Sequence, residues 1–130
     1  ILDRMLEADA FIFGTPNHGH TMSAAMVNFF SRMMPLLKMH VEKDDSGNII
    51  HAEARPLIKG KKAVMIISQG DFVPSASALL LRVMDSNFRD FHLRKIGEVF
   101  STGNITKGAV KEKTHDLAHA FETGVKLALR

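Results

Sequence analysis

At 130 residues the chain has the length of one domain with a sizeable core, and its apolar and charged fractions are those of an ordinary globular protein. It has no cysteine, which excludes disulfides, thiol nucleophiles and cysteine-ligated zinc or iron–sulfur clusters; no apolar run approaches the ~20 residues needed to span a bilayer, and no signal-peptide pattern is visible, so a cytoplasmic setting is expected. The formal charge is +3, and Lys59, Lys61 and Lys62 form its densest positive group, which reads as a solvated edge before a strand rather than a nucleic-acid surface.

Ile1, Met5 and Leu6 have helical spacing, as at the end of a helix. Residues 10–14 form a short, wholly apolar first strand. Met22, Met26, Phe29, Phe30, Met33, Met34 and Leu37 then follow i, i+4, i+7, i+8 spacing and predict a helix, with Thr21 or Ser23 as its cap and Pro35 at its end or kink. Residues 40–60 are polar around an Asp44-Asp45-Ser46-Gly47-Asn48 turn, where Ile49-Ile50 suggests a short hairpin arm. Ala63 to Ser68 is a second continuous apolar strand, of the kind buried on both faces of a parallel sheet. Pro74 suits the first turn of the next helix, whose predicted stripe is Ala76, Leu79, Leu80, Val83 and Met84. Ile96 to Ser101 is a third strand, and its internal Glu98 suggests a sheet edge. A last helix from about Val110 carries Leu117, Phe121, Val125 and Leu129 as its stripe. Strands alternating with helices predict an α/β fold with a parallel, doubly wound sheet, in a single domain over 1–130. The first strand looks central, yet nothing in the sequence covers its outer side, so an N-terminal segment or a second subunit is expected there.

In open α/β sheets, ligands sit beyond the carboxyl ends of the strands, where loop amides and helix N-termini favour electron-rich groups. Two loops therefore form the predicted shelf. The first holds Thr15, Pro16, Asn17, His18, Gly19, Thr21 and Ser23, with its amides facing outward. The second holds Gln69, Gly70 and Asp71. His20 reads as a solvent-facing loop residue, and Phe72 as a cover for a ligand or partner or else a core plug. His115 and His119 lie four apart, a spacing that can hold a metal, but they project away from the apolar stripe and read as a solvated helix face; no metal is expected. The methionines at 22, 26, 33 and 34 read as core, with a subunit contact as the competing role.

Ala8-Asp9-Ala10-Phe-Ile-Phe-Gly-Thr-Pro, followed by Ser23-Ala24 and Phe29-Phe30-Ser31-Arg32, resembles the flavodoxin-like NADPH-dependent FMN reductase family, as does Gly60-Lys61-Lys62-Ala63 before the second strand. The specific part of the resemblance is residues 8–32. His18 stands where the family has an aromatic residue, and Val27 or Asn28 and Ser31 stand where it has Lys and Asp. The family's first strand and Ser/Thr-Arg-rich phosphate loop have no counterpart, so the chain reads as the C-terminal portion of the fold, lacking two βα units, roughly 60 residues.

The resemblance implies an enzyme that uses FMN and NAD(P)H, passing hydride from the nicotinamide through the flavin to a flavin, quinone or other small acceptor. It places the flavin ring against Thr15–Thr21 and Gln69–Phe72. Such chemistry needs held rings and amide donors rather than a catalytic acid–base pair, so no catalytic side chain is assigned. It also implies a homo-oligomer; the scattered positive charge and the lack of a long apolar run argue against nucleic acid and membrane as partners. Two other functions stay open: a flavodoxin-type electron carrier, disfavoured by a pI near 9.4, and a non-enzymatic assembly module without flavin.

Overall fold

A computed structural model describes residues 1–129. Helix α1 (Leu2–Glu7) leads into β1 (Ala10–Pro16), and α2 (Ala24–Arg32) follows. An antiparallel pair, β2 (Leu37–Lys43) and β3 (Ile49–Pro56), comes next, then β4 (Lys62–Ser68), α3 (Ala78–Asp90), β5 (Arg94–Ser101) and α4 (Thr114–Ala128). The main sheet is parallel with order β1-β4-β5; β2 and β3 pair only with each other. Among the described residues no helix is long and apolar enough to cross a membrane.

Alternation along β1 sends Phe11, Phe13 and Thr15 to one face and Ile12 and Gly14 to the other. The first face carries the core. Phe13 stacks on Phe30 of α2 at 5.3 Å between ring centroids and meets Phe88 of α3 at the same distance. Ala63, Met65 and Ile67 of β4 join them with Met33, Leu80 and Met84, all essentially without solvent exposure. On the opposite face Val64 and Val99 are buried, and α4 lies so close to β5 that a Cβ at Gly97 would sit 3.0 Å from Thr123 Cγ2. Helices therefore flank both faces, as a doubly wound sheet requires. The second face is covered only over β4 and β5. Ile12 is 60% exposed, and the outer edge of β1 pairs with no strand among the described residues.

Several sequence expectations are corrected. α2 stops at Arg32, because Pro35 cannot continue the hydrogen-bond ladder, and a short 3-10 turn spans Met34–Leu36. Leu37 belongs to β2 rather than to the helix, and Met34 is exposed. The hairpin arm is a full ribbon of seven- and eight-residue strands. Leu79 faces solvent while Leu80 and Met84 fill the core. The largest correction concerns α4. Its predicted stripe of Leu117, Phe121, Val125 and Leu129 is exposed, and the helix meets the sheet through Thr123 and the half-buried Asp116 and Ala120. A 3.6-residue period identifies an apolar face but not what that face packs against.

Lys61 and Lys62 are not a solvated pair. Lys61 Nζ donates to the carbonyls of Met5 (3.0 Å), Leu6 (2.5 Å) and Ala8 (2.6 Å), capping the C-terminus of α1 with a cation where the helix dipole is negative. Lys62 Nζ does the same for α4 through the carbonyls of Leu127 and Leu129. Both lie at the amino end of β4, opposite the predicted shelf.

Candidate functional site

Three loops leave the carboxyl ends of β1, β4 and β5 side by side, and one buried hydrogen-bond network ties them together. Gln69, 3% exposed, is its hub. Its Nε2 donates to the carbonyls of Asp71 (3.1 Å) and Val73 (2.8 Å), and its Oε1 accepts from Ser77 Oγ (2.6 Å) and Asn17 Nδ2 (3.0 Å). Asn17 also donates from its backbone to Ser68 O at 2.8 Å and from Nδ2 to Ala76 O at 3.2 Å. Asn104, after β5, closes the other side. Its Nδ2 reaches Ser68 Oγ and Ser101 Oγ, its amide reaches Gln69 O at 2.9 Å, and Gly103 N reaches Asp71 O at 2.9 Å. These bonds hold the loops in one register.

The first loop is a tight hairpin turn. His18 and Thr21 exchange both backbone hydrogen bonds, and Gly19 (φ 56°) and His20 (φ 66°) occupy the two left-handed positions, as in a type I′ turn. His20 is strained there for a residue with a side chain, and its Nδ1 lies 2.8 Å from Ala76 O, which fixes it to the start of the α3 segment. His20 is thus exposed but tethered. The amides of Asn17, His18, Thr21 and Ser23 are engaged within the protein, whereas those of Gly19 and His20, exposed at the turn, meet no protein acceptor. In the second loop the amides of Gly70, Asp71 and Phe72 meet no protein acceptor among the described residues, while Asp71 Oδ1 accepts from Val73 N at 2.7 Å.

The predicted residues divide accordingly. Thr15 is buried, and its Oγ1 accepts from Ser23 N at 3.0 Å. Ser23 Oγ in turn accepts from Met26 N at 3.3 Å and caps α2. Thr15 and Ser23 therefore build the loop, whereas Pro16, His18, Gly19, Gly70 and Asp71 are exposed on it. Asn17 and Gln69 brace it from below. Ser77, Gly103 and Asn104 were not foreseen, although Thr102-Gly103-Asn104 repeats the strand-then-Gly-loop pattern that marked the other two. Phe72 is 71% exposed, so it is no core plug; its ring lies on Gly103, where a Cβ would sit 2.6 Å from it.

Two buried oxygens, Asn17 Oδ1 and Asn104 Oδ1, have no hydrogen-bond partner. Unpaired buried acceptors are uncommon, and these two belong to the loops that follow β1 and β5. A groove of about 590 Å³ between β1, Lys62 and the C-terminal turn of α4 is at the other end of the sheet and holds no such convergence of polar groups. His115 and His119 are exposed on α4.

The family model for NADPH-dependent FMN reductases matches residues 1–72, more than half of the chain and through the second loop. The chain belongs to that family. FMN and a nicotinamide nucleotide are the cofactors this membership implies. No curated protein gives a significant match. Among solved structures, an azoreductase from Bacillus anthracis is 20% identical with a TM-score of 0.65; the alignment covers 98% of this chain and 60% of that one. An NADPH-quinone reductase from P. pentosaceus is 11% identical with a TM-score of 0.62, covering 99% and 73%. A Trp repressor binding protein from Bacillus subtilis is 18% identical with a TM-score of 0.59, covering 99% and 74%. These likenesses show the flavodoxin-like fold, and the chain spans 60% of the length of the azoreductase.

The residues present fit the ring of a flavin. Gly19, His20 and Gly70 to Phe72 offer exposed N–H groups without a protein acceptor, the kind of donor that the carbonyl edge of a flavin accepts from, whereas the orphan oxygens of Asn17 and Asn104 are buried. No side chain crowds Gly19, around which a Cβ would meet nothing within 4 Å.

Proposed function

We propose that this chain carries the ring-side half of an FMN site in an NAD(P)H-dependent oxidoreductase whose electrons go to a flavin, quinone or other small acceptor. The observation that carries the reading is the set of free amides on strand-end loops locked together by Gln69 and Asn104. FMN, when bound, supplies the hydride-accepting chemistry. The chain supplies position and polarity. Asn17 and Gln69 hold the first two loops at a fixed spacing, the amides of Gly70 to Phe72 offer preorganised donors to developing negative charge, and the exposed imidazole of His18 offers a face for stacking. Hydride transfer between held rings needs no protein acid or base, in keeping with a site without a paired carboxylate or nucleophile.

The phosphate end is different. Among the described residues the loops after β1 and β4 carry no lysine or arginine, and the connection after β5 carries Lys107, Lys111 and Lys113. Hydrogen bonds to a charged group are worth roughly 1.5–3 kcal/mol each, so a dianionic phosphate without a built seat forfeits several powers of ten in affinity. Riboflavin and FMN should therefore quench alike and weakly on the 130-residue chain, with amide NMR shifts centred on residues 17–21 and 69–72. Submicromolar FMN binding that riboflavin does not match would place a phosphate seat on this chain. Shifts centred elsewhere would remove the ring site. Bleaching of bound flavin by NADPH separates a reductase from an electron carrier, and an absence of any flavin effect favours an assembly module.

A further inference from the structure

Asp116 sits in the first turn of α4, where an acid ordinarily turns back to the helix's own free amides. Here it does not. The amide of Lys113, the N-cap, is already bonded to Val110 O at 3.0 Å, and the Asp116 carboxylate meets the end of β5 instead. Its Oδ2 accepts from the buried Ser101 Oγ at 2.6 Å, the length of a charge-assisted bond. A hydroxyl has one hydrogen. With it committed to Asp116, Ser101 Oγ can only accept, and it does so from Asn104 Nδ2 at 2.9 Å. The same Nδ2 reaches Ser101 O at 3.0 Å and Ser68 Oγ at 3.1 Å. Asp116 and Ser101 thereby tie α4 to the third loop.

The third loop in turn holds the second by its backbone. Asn104 N donates to Gln69 O and Gly103 N to Asp71 O, both at 2.9 Å. A carbonyl and the N–H that follows it share one planar trans peptide and point in opposite directions, and no peptide bond among the described residues is cis. Pinning Gln69 O therefore aims the Gly70 N–H away from the third loop, and pinning Asp71 O does the same for the Phe72 N–H. Each accepted bond also polarises its peptide and makes that N–H a stronger donor. We infer that Asp116 is a positioning residue: through Ser101 and the third loop it fixes the direction of the free donors at Gly70 and Phe72. Its effect on flavin rests on the proposed ring site; the clamp itself does not.

The first measurement needs no flavin. In amide NMR spectra of the 130-residue chain, Asp116→Ala should shift Gly70, Phe72, Gly103 and Asn104 and speed hydrogen exchange at Gly103 and Asn104 by about tenfold. Asp116→Asn keeps an acceptor oxygen for Ser101 and should restore most of both. Ser101→Ala should reproduce the Asp116→Ala pattern, and adding Asp116→Ala to it should change nothing further, because the link is already cut. Thr123→Ala loosens α4 against Gly97 and should leave Gly70 and Phe72 in place. In the second measurement riboflavin, titrated by quenching, should bind Asp116→Ala about threefold more weakly than the unmodified chain, and Asp116→Asn within about twofold of it. Unmoved Gly70 and Phe72 resonances in Asp116→Ala would overturn the inference. The same shifts from Thr123→Ala would overturn it too, since Asp116 would then be one packing contact of α4 among others. Riboflavin binding by none of these chains would remove the ring site and leave the flavin-free spectra to decide the clamp.

Discussion

Gln69 decides how rigid the candidate site is. Its single amide group satisfies two carbonyls and two donors drawn from three segments, and no other side chain in the network has that reach. Gln69→Leu keeps the volume but strands the buried Ser77 hydroxyl, which alone should cost about 1–3 kcal/mol. Urea denaturation is expected to show that loss, with amides 70–73 becoming exchangeable before the core. Gly19 matters differently. Nothing crowds it, so the penalty of Gly19→Val comes from its φ of 56° rather than from a clash. A branched residue there should unseat the turn by about 1–2 kcal/mol, and flavin binding should fall further than for His18→Ala, where loss of a stacking face of about 1 kcal/mol corresponds to roughly fivefold weaker binding. Riboflavin titration of both variants ranks them; His18→Ala as the weaker of the two would indicate that the imidazole outweighs the turn. Gly19 and His18 stand out in the sequence because they follow an apolar strand. Gln69 does too, but its role as the hub was not legible, because nothing local distinguishes a hub from a turn residue.

The ribbon depends on its tip. Asp44 Oδ1 accepts from Ser46 N at 2.9 Å and Asn48 N at 2.8 Å, and its Oδ2 accepts from Asn48 Nδ2. The side-chain hydrogen bond from Asn48, followed by its backbone bond, holds the Asp44 carboxyl below its ordinary value. A lowered folded-state value means that the turn's stabilisation is complete above the unfolded carboxylate range and is lost as pH falls through the folded value. Acidification toward that value should therefore loosen the tip first, seen as collapse of the Ser46 and Asn48 amide shifts while β4 resonances stay in place. Asp44→Asn should retain part of the turn at neutral pH and abolish this acid-dependent step. The turn was visible as a run of Asp, Ser, Gly and Asn. The length of the strands it joins was not, since they are charged on one side and apolar only at alternate positions.

Across the molecule the unusual feature is apolar surface left on the second sheet face. Ile12 and the outward row of α4, with Phe121 74% exposed, are flanked by an unpaired β1 edge. Exposed residues of this kind contribute little to the folded chain's own stability, so Phe121→Glu and Ile12→Lys should shift unfolding by no more than about 0.5 kcal/mol. They should nevertheless reduce light scattering at micromolar concentration, because a flat edge beside an apolar face templates association. A large fall in melting temperature for either variant would show instead that the face is covered within the chain.

Local pattern was enough to place β1, β4 and β5, the Pro35 break and the loops after β1 and β4, and it narrowed the α2 cap to Thr21 or Ser23. Unbroken apolar runs, a capping hydroxyl and a proline act within a few residues of themselves. The partner of each apolar face is a long-range property. α4 shows this most clearly: its strongest stripe points outward, and Thr123 faces the sheet because Gly97 leaves room for it. The third loop entered the site for a similar reason, since Asn104 meets Ser68 and Gln69 only after β5 has paired beside β4.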